Sequence, residues 1–152
     1  MIPNLKKSGL LPTGIHLTTW DELVEKFGFN EHRLKLLDGL KKGLNLLQRY
    51  GCTEVCIDGS FVTSKPFPND VDVCYDNTLM KWKKFIKEQP EFNDIKSRSR
   101  IQKEKYQSEF YAYNAFEDSI LQFFQFDRDH NPKGIVKLIL NEVFYDQERK
   151  AI

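Results

Sequence analysis

The chain of 152 residues carries 23 Lys and Arg against 22 Asp and Glu, a net charge of +1, so no overall field recommends a nucleic acid or a membrane as partner. Apolar content of 40% and charged content of 30% suit one globular domain able to bury a core, and 12 Phe, 6 Tyr and 2 Trp make that core aromatic. No apolar run approaches a membrane span and the first residues lack the apolar centre of a secretion signal, so a cytoplasmic protein is expected.

Residues 1–18, with Pro3, Gly9, Pro12 and Gly14, read as an irregular arm, and 19–152 as the domain. Thr19-Trp20-Asp21-Glu22 fits a capping box and predicts a short helix through Phe27, stopped by Gly28. Asn30 caps a second helix whose Leu34, Leu37, Leu40, Leu44 and Leu47 recur at three- and four-residue steps until Tyr50-Gly51. Its Arg33, Lys35, Lys41 and Lys42 read as a solvated face. Cys52, Cys56 and Cys74 make no C-x-x-C pair; Cys56 and Cys74 sit in apolar strands, where a reduced thiol acts as a small hydrophobe, and no zinc site is expected.

Val55-Cys56-Ile57 is a short β-rich run closed by Asp58-Gly59-Ser60, and after a nine-residue Pro-bearing loop comes Asp70-Val71-Asp72-Val73. On a strand, residues two apart share a face, so Asp70 and Asp72 stand side by side while Val71 and Val73 enter the core. Neighbouring carboxylates repel unless a cation lies between them, and hard oxygen donors suit Mg²⁺ or Mn²⁺. A Gly-Ser turn lets backbone N–H groups approach a phosphate.

Further on, Asn77-Thr78 caps a predicted helix through Trp82, Phe85 and Ile86 that Pro90 ends. Residues 91–103, with Lys96, Arg98, Arg100 and Lys103, read as an exposed basic loop that either meets phosphates or is simply solvated. Residues 106–113 read as a strand, 115–126 as a helix with Phe116, Ile120, Leu121 and Phe124 inward, and 134–140 as a buried strand with a charged tail from Asn141. His16, His32 and His130 fall in different elements, and neither a nucleophilic triad nor a P-loop is present.

Gly59-Ser60, the nine-residue gap and the apolar-flanked Asp70-x-Asp72 together resemble the nucleotidyltransferase superfamily typified by DNA polymerase beta, especially its small bacterial minimal nucleotidyltransferases. The match is strongest over the middle third of the chain. The resemblance implies an α+β fold, a mixed sheet of about three to five strands flanked by helices in a single domain. It implies a metal-dependent transfer of NMP from an NTP, ATP included, with Asp70 and Asp72 as metal ligands and Gly59 and Ser60 at the phosphates. Lys65, at the loop that follows, is a candidate phosphate contact or a solvated lysine. The superfamily generally adds a third carboxylate on a later strand, where Glu109 falls; it is chosen over Asp118, near a helix start, and Asp127, before a turn. Small members resemble proteins of toxin–antitoxin or phage-defence loci, which implies a protein or tRNA acceptor and a cognate partner. The alternative is a catalytically inactive fold serving as a binding module on a partner protein. An RNA-binding domain built on Lys96–Lys103 is the third reading, weakened by the near-neutral charge.

Overall fold

The computed structural model describes residues 1–93, 98–114 and 119–144. Two side-chain caps start the first helices. Thr19 Oγ1 accepts from the Glu22 N–H at 3.2 Å ahead of α1 (Trp20–Phe27), and Asn30 Oδ1 accepts from the Arg33 N–H at 2.8 Å ahead of α2 (Glu31–Arg49). The inner side of α2 buries Leu36, Leu37, Leu40, Leu44 and Leu47. Full burial of each such leucine contributes roughly 1.5–3 kcal/mol. Leu34, expected on that side, is 43% exposed; Arg33, expected in solvent, is wholly buried in its place.

Five strands form one mixed sheet in the order β1-β5-β2-β3-β4, from β1 (Ile15–Leu17), β2 (Glu54–Asp58), β3 (Val71–Asp76), β4 (Ser108–Tyr113) and β5 (Ile135–Ile139). β1 runs parallel to β5 and β3 to β4, while β2 is antiparallel to both its neighbours. This is the α+β, single-domain architecture expected of the sequence. The first 18 residues are more than an arm. β1 extends the sheet, and Ile2 and Leu11 join the core.

Strand alternation divides the sheet into two faces. Val55, Ile57, Val71, Val73, Tyr75 and Phe110 pack into the large core beneath α1 and α2. Gly43 brings α2 close to β4, since a Cβ there would lie 2.4 Å from Phe110 Cζ. The opposite face carries a smaller cluster of Cys56, Cys74, Tyr113 and Ile135, with Tyr111, Leu121 and Phe124 packed on it. All three cysteines are free and buried; burial pushes the Cys52 and Cys56 thiols up to about 12, which makes them unreactive at neutral pH.

Three boundaries differ from the sequence reading. Asp76 Oδ1 takes the Thr78 N–H at 2.9 Å and its hydroxyl at 2.6 Å in a local turn, so α3 (Trp82–Glu88) starts later than Asn77-Thr78 would place it. The basic stretch is not a loop throughout, because Arg98–Tyr106 form helix α4. α4 shows no apolar stripe and is held by a buried amide: Gln102 Oε1 accepts from the Phe110 N–H at 2.9 Å, and its Nε2 donates to the Glu91 carbonyl at 3.2 Å. β4 begins at Ser108 rather than at Tyr106, after Gln107 turns the chain with φ 55°. Of the helix expected over 115–126, α5 (Ser119–Phe124) is described; Phe116 and Asp118, like Lys96 and residues 145–152, lie outside the described residues. Among the described residues no helix is long and apolar enough to cross a membrane.

Candidate active site

The strand register assembles an acidic row across three strands. Asp72 of β3 pairs with Asp58 of β2 on one side and Glu109 of β4 on the other, and Asp70 stands just before β3. Carboxylate oxygens of Asp70, Asp72 and Glu109 lie within 4.8 Å of one another, so the three predicted carboxylates converge. They line one side of an open cleft of about 900 Å³, which Gly59, Ser60 and Lys65 also line. Asp127, the rival third carboxylate, borders the same cleft. Its side chain is consumed by its own turn, accepting the Asp129 and Asn131 N–H groups at 2.9 and 2.8 Å.

Gly59 has a role in the site that its phosphate reading does not capture. It sits at φ 75°, and a Cβ there would come within 2.2 Å of Asp72 Oδ2. Only glycine leaves room for that carboxylate and adopts the left-handed turn without strain. The turn continues as a 3₁₀ segment, Gly59–Val62, whose Ser60 and Phe61 carbonyls point back to Arg33.

The Arg33 guanidinium supports the whole loop from beneath. It donates to the carbonyls of Phe27 at 2.9 Å, Phe61 at 2.8 Å, Thr63 at 2.8 Å and Lys65 at 2.7 Å, with the Phe29 ring 4.3 Å from its Cζ. Burial lowers its pKa to about 10, still a cation at neutral pH. Asn30 Nδ2 and His32 Nε2 reach the carbonyls of Pro66 at 2.7 Å and Pro68 at 2.5 Å, so the first turn of α2 fixes the loop between the glycine turn and Asp70.

Two lysines and one aspartate complete the electrostatics, and none had been assigned its role from the sequence. Lys103 of α4 sits on the acidic cluster, its Nζ 2.8 Å from Glu109 Oε1 and 3.2 Å from Asp70 Oδ2, and these contacts raise its pKa. Glu109 Oε2 accepts from the Tyr111 hydroxyl at 2.5 Å. Asp58 is wholly buried; its Oδ1 has no hydrogen-bond partner among the described residues, and burial, with the Asp72 charge behind it, pushes its carboxyl well above the usual range. Lys133 lies close enough to both Asp58 and Asp72 to oppose that rise. The one sequence signal for Asp58 is its place in the Ile57-Asp58-Gly59-Ser60 run; for Lys133, none exists.

Desolvation, then Asp70 and Glu109, push Asp72 up to about 7. A carboxyl raised on folding binds more protons in the native than in the unfolded chain, so stability is lost as pH rises from the ordinary value of 3.8 through about 7. The loss is on the order of 2–4 kcal/mol once residual solvent access is discounted. Thermal denaturation of the metal-free protein across this range should show the decline, and Asp72→Asn should flatten it. Lys103→Met should steepen it, because the ammonium is what offsets the repulsion between Asp70 and Glu109.

No curated protein and no solved structure matches the chain. A family model described as a family of unknown function, DUF6932, matches residues 3–139, which takes in the first strand, the glycine turn and every member of the acidic row. On that span the chain belongs to the DUF6932 family.

Proposed function

We propose that the cleft is the active site of a divalent-cation-dependent nucleotidyltransferase that moves NMP from an NTP to a hydroxyl of a protein, a tRNA or a small molecule. The observation that carries this reading is the convergence of Asp70, Asp72 and Glu109 within 4.8 Å beside the Gly59-Ser60 turn. The donor set fits Mg²⁺ or Mn²⁺, since three hard carboxylates meet at one point and Asp72 is desolvated against two like charges. Asp70, Asp72 and Glu109 would hold the cation, and Lys103 would withdraw from them. The bound ion would neutralise charge on the triphosphate and acidify the attacking hydroxyl.

The chain's own groups do the rest. Gly59 keeps the space beside Asp72 open, and Ser60 and Lys65 present a hydroxyl and an ammonium to the phosphates across the cleft. Arg33 holds the loop that carries both. A preformed loop spares the ordering cost that a mobile one would pay on binding.

One observation favours the second reading, an inactive fold binding a partner protein such as a cognate toxin or antitoxin: Lys103 already pairs with both Asp70 and Glu109. Turnover separates the two. Each α-labelled NTP with Mg²⁺ or Mn²⁺ and cell lysate should yield a labelled macromolecule that an Asp70→Asn/Asp72→Asn double variant does not produce. Equal labelling by the double variant contradicts the enzyme reading, and no label from either protein favours the binding module.

A further inference from the structure

The cleft is also lined by aromatic rings. Tyr111, hydrogen-bonded to Glu109, packs on Phe124 with ring centroids 5.1 Å apart, and Phe124 meets Phe123 edge-on at 5.3 Å. The rings thus lead outward from the acidic cluster. Their outer end is bare, with Phe123 73% and Phe126 48% exposed, although both border the cleft. Two large apolar side chains left open at the mouth of a charged cleft cost solvation unless a ligand covers them.

The charges beside this wall define the ligand. Lys133 faces the acidic row and forms no ion pair among the described residues, and Arg128 borders the cleft from the same loop. Cations without an ion pair among the described residues, next to open aromatic faces, suit a ligand with an anionic end and a flat π-system, which is the make-up of a nucleotide. Of the described residues lining the cleft, Asn69 alone has a side-chain amide, and it lies on the loop before Asp70 rather than on the aromatic wall. The wall can stack a base, and contacts to its hydrogen-bonding edge would fall to Arg128 and His130 of the adjoining loop.

Building on the nucleotidyltransferase reading, we propose that Phe123 and Phe126 form the base-stacking platform and Lys133 a phosphate anchor of an NTP subsite that favours purines by their larger stacking area. The cleft then holds the substrate from both ends, with the base on the rings and the phosphates between Lys133 and the glycine turn.

Calorimetric titration of the full chain in Mg²⁺ with ATP, UTP and inorganic tripolyphosphate tests this. ATP should bind more tightly than UTP. Phe123→Ala, at an exposed position that does not threaten the fold, should weaken ATP by roughly tenfold and leave tripolyphosphate unchanged. Lys133→Ala should weaken all three. If tripolyphosphate and ATP bind the wild type and Phe123→Ala leaves ATP unaffected, the platform is wrong while the nucleotide reading stands, and the aromatic wall belongs to a macromolecular partner. If neither ATP nor tripolyphosphate binds the wild type, the nucleotidyltransferase reading fails and the platform with it.

Discussion

Asp72→Asn should abolish nucleotidyl transfer and, in the same protein, raise the melting temperature of the metal-free form at neutral pH. Both effects come from one carboxylate. Asp72 is the middle member of the acidic row, in register with Asp58 and Glu109 and two residues from Asp70. Its charge is opposed first by desolvation and then by Asp70 and Glu109, which hold its pKa near 7. An amide of the same shape carries no charge to repel, so the metal-free fold gains on the order of 1–3 kcal/mol at a pH above that value. The same amide is a poor ligand for a hard cation, so the proposed transfer should be lost. A variant that is both more stable and inactive is the signature of a residue kept for chemistry at the expense of stability. A variant that is inactive because it unfolds would instead assign Asp72 a structural role.

Arg33→Met should have the largest effect on stability, a loss of about 3–5 kcal/mol. The guanidinium is wholly buried and shared among carbonyls from Phe27 and from the loop, with no carboxylate among the described residues taking its charge. Methionine fills much of the volume but leaves those carbonyls buried without donors. Lysine does not restore them, because three tetrahedral donors on a flexible stem cannot reproduce a planar fork reaching carbonyls on two sides. A melting temperature lower by about 10 °C or more, read by circular dichroism, is expected for a domain of this size. Nucleotide affinity should fall as well in whatever fraction remains folded, since the Ser60–Lys65 loop loses its anchor. A shift within a degree of the wild type would mean that water replaces the guanidinium at little cost.

The sequence carried the acidic site further than it carried its surroundings. Asp70-x-Asp72 was legible because strand periodicity assigns faces without knowledge of the tertiary fold, whereas Glu109 was chosen on the resemblance, which implies a third carboxylate on a later strand. The pairing of β3 with β4 then brings Glu109 opposite Asp72. Arg33 was misread because a helical arginine is solvated by default. Its phase, four residues before Leu37 and seven before Leu40, placed it on the apolar stripe all the same. α4 escaped because it is held by a buried amide, Gln102, by one terminal ring, Tyr106, and by lysine ion pairs rather than by a run of apolar residues. With that helix unseen, Lys103 looked like part of a basic patch, whereas it lies on Asp70 and Glu109. Lys133 and Asp58 reach the site through strand order and burial, which no local pattern encodes.

The most direct test of the central claim is a Mn²⁺ titration of the metal-free protein, followed by the paramagnetic signal of the free ion, with a non-hydrolysable NTP analogue present. Depletion of the free-ion signal that saturates in the wild type and is absent in Asp70→Asn/Asp72→Asn is the predicted result. Equal depletion by both proteins, or none by either, would contradict a cation site on Asp70, Asp72 and Glu109.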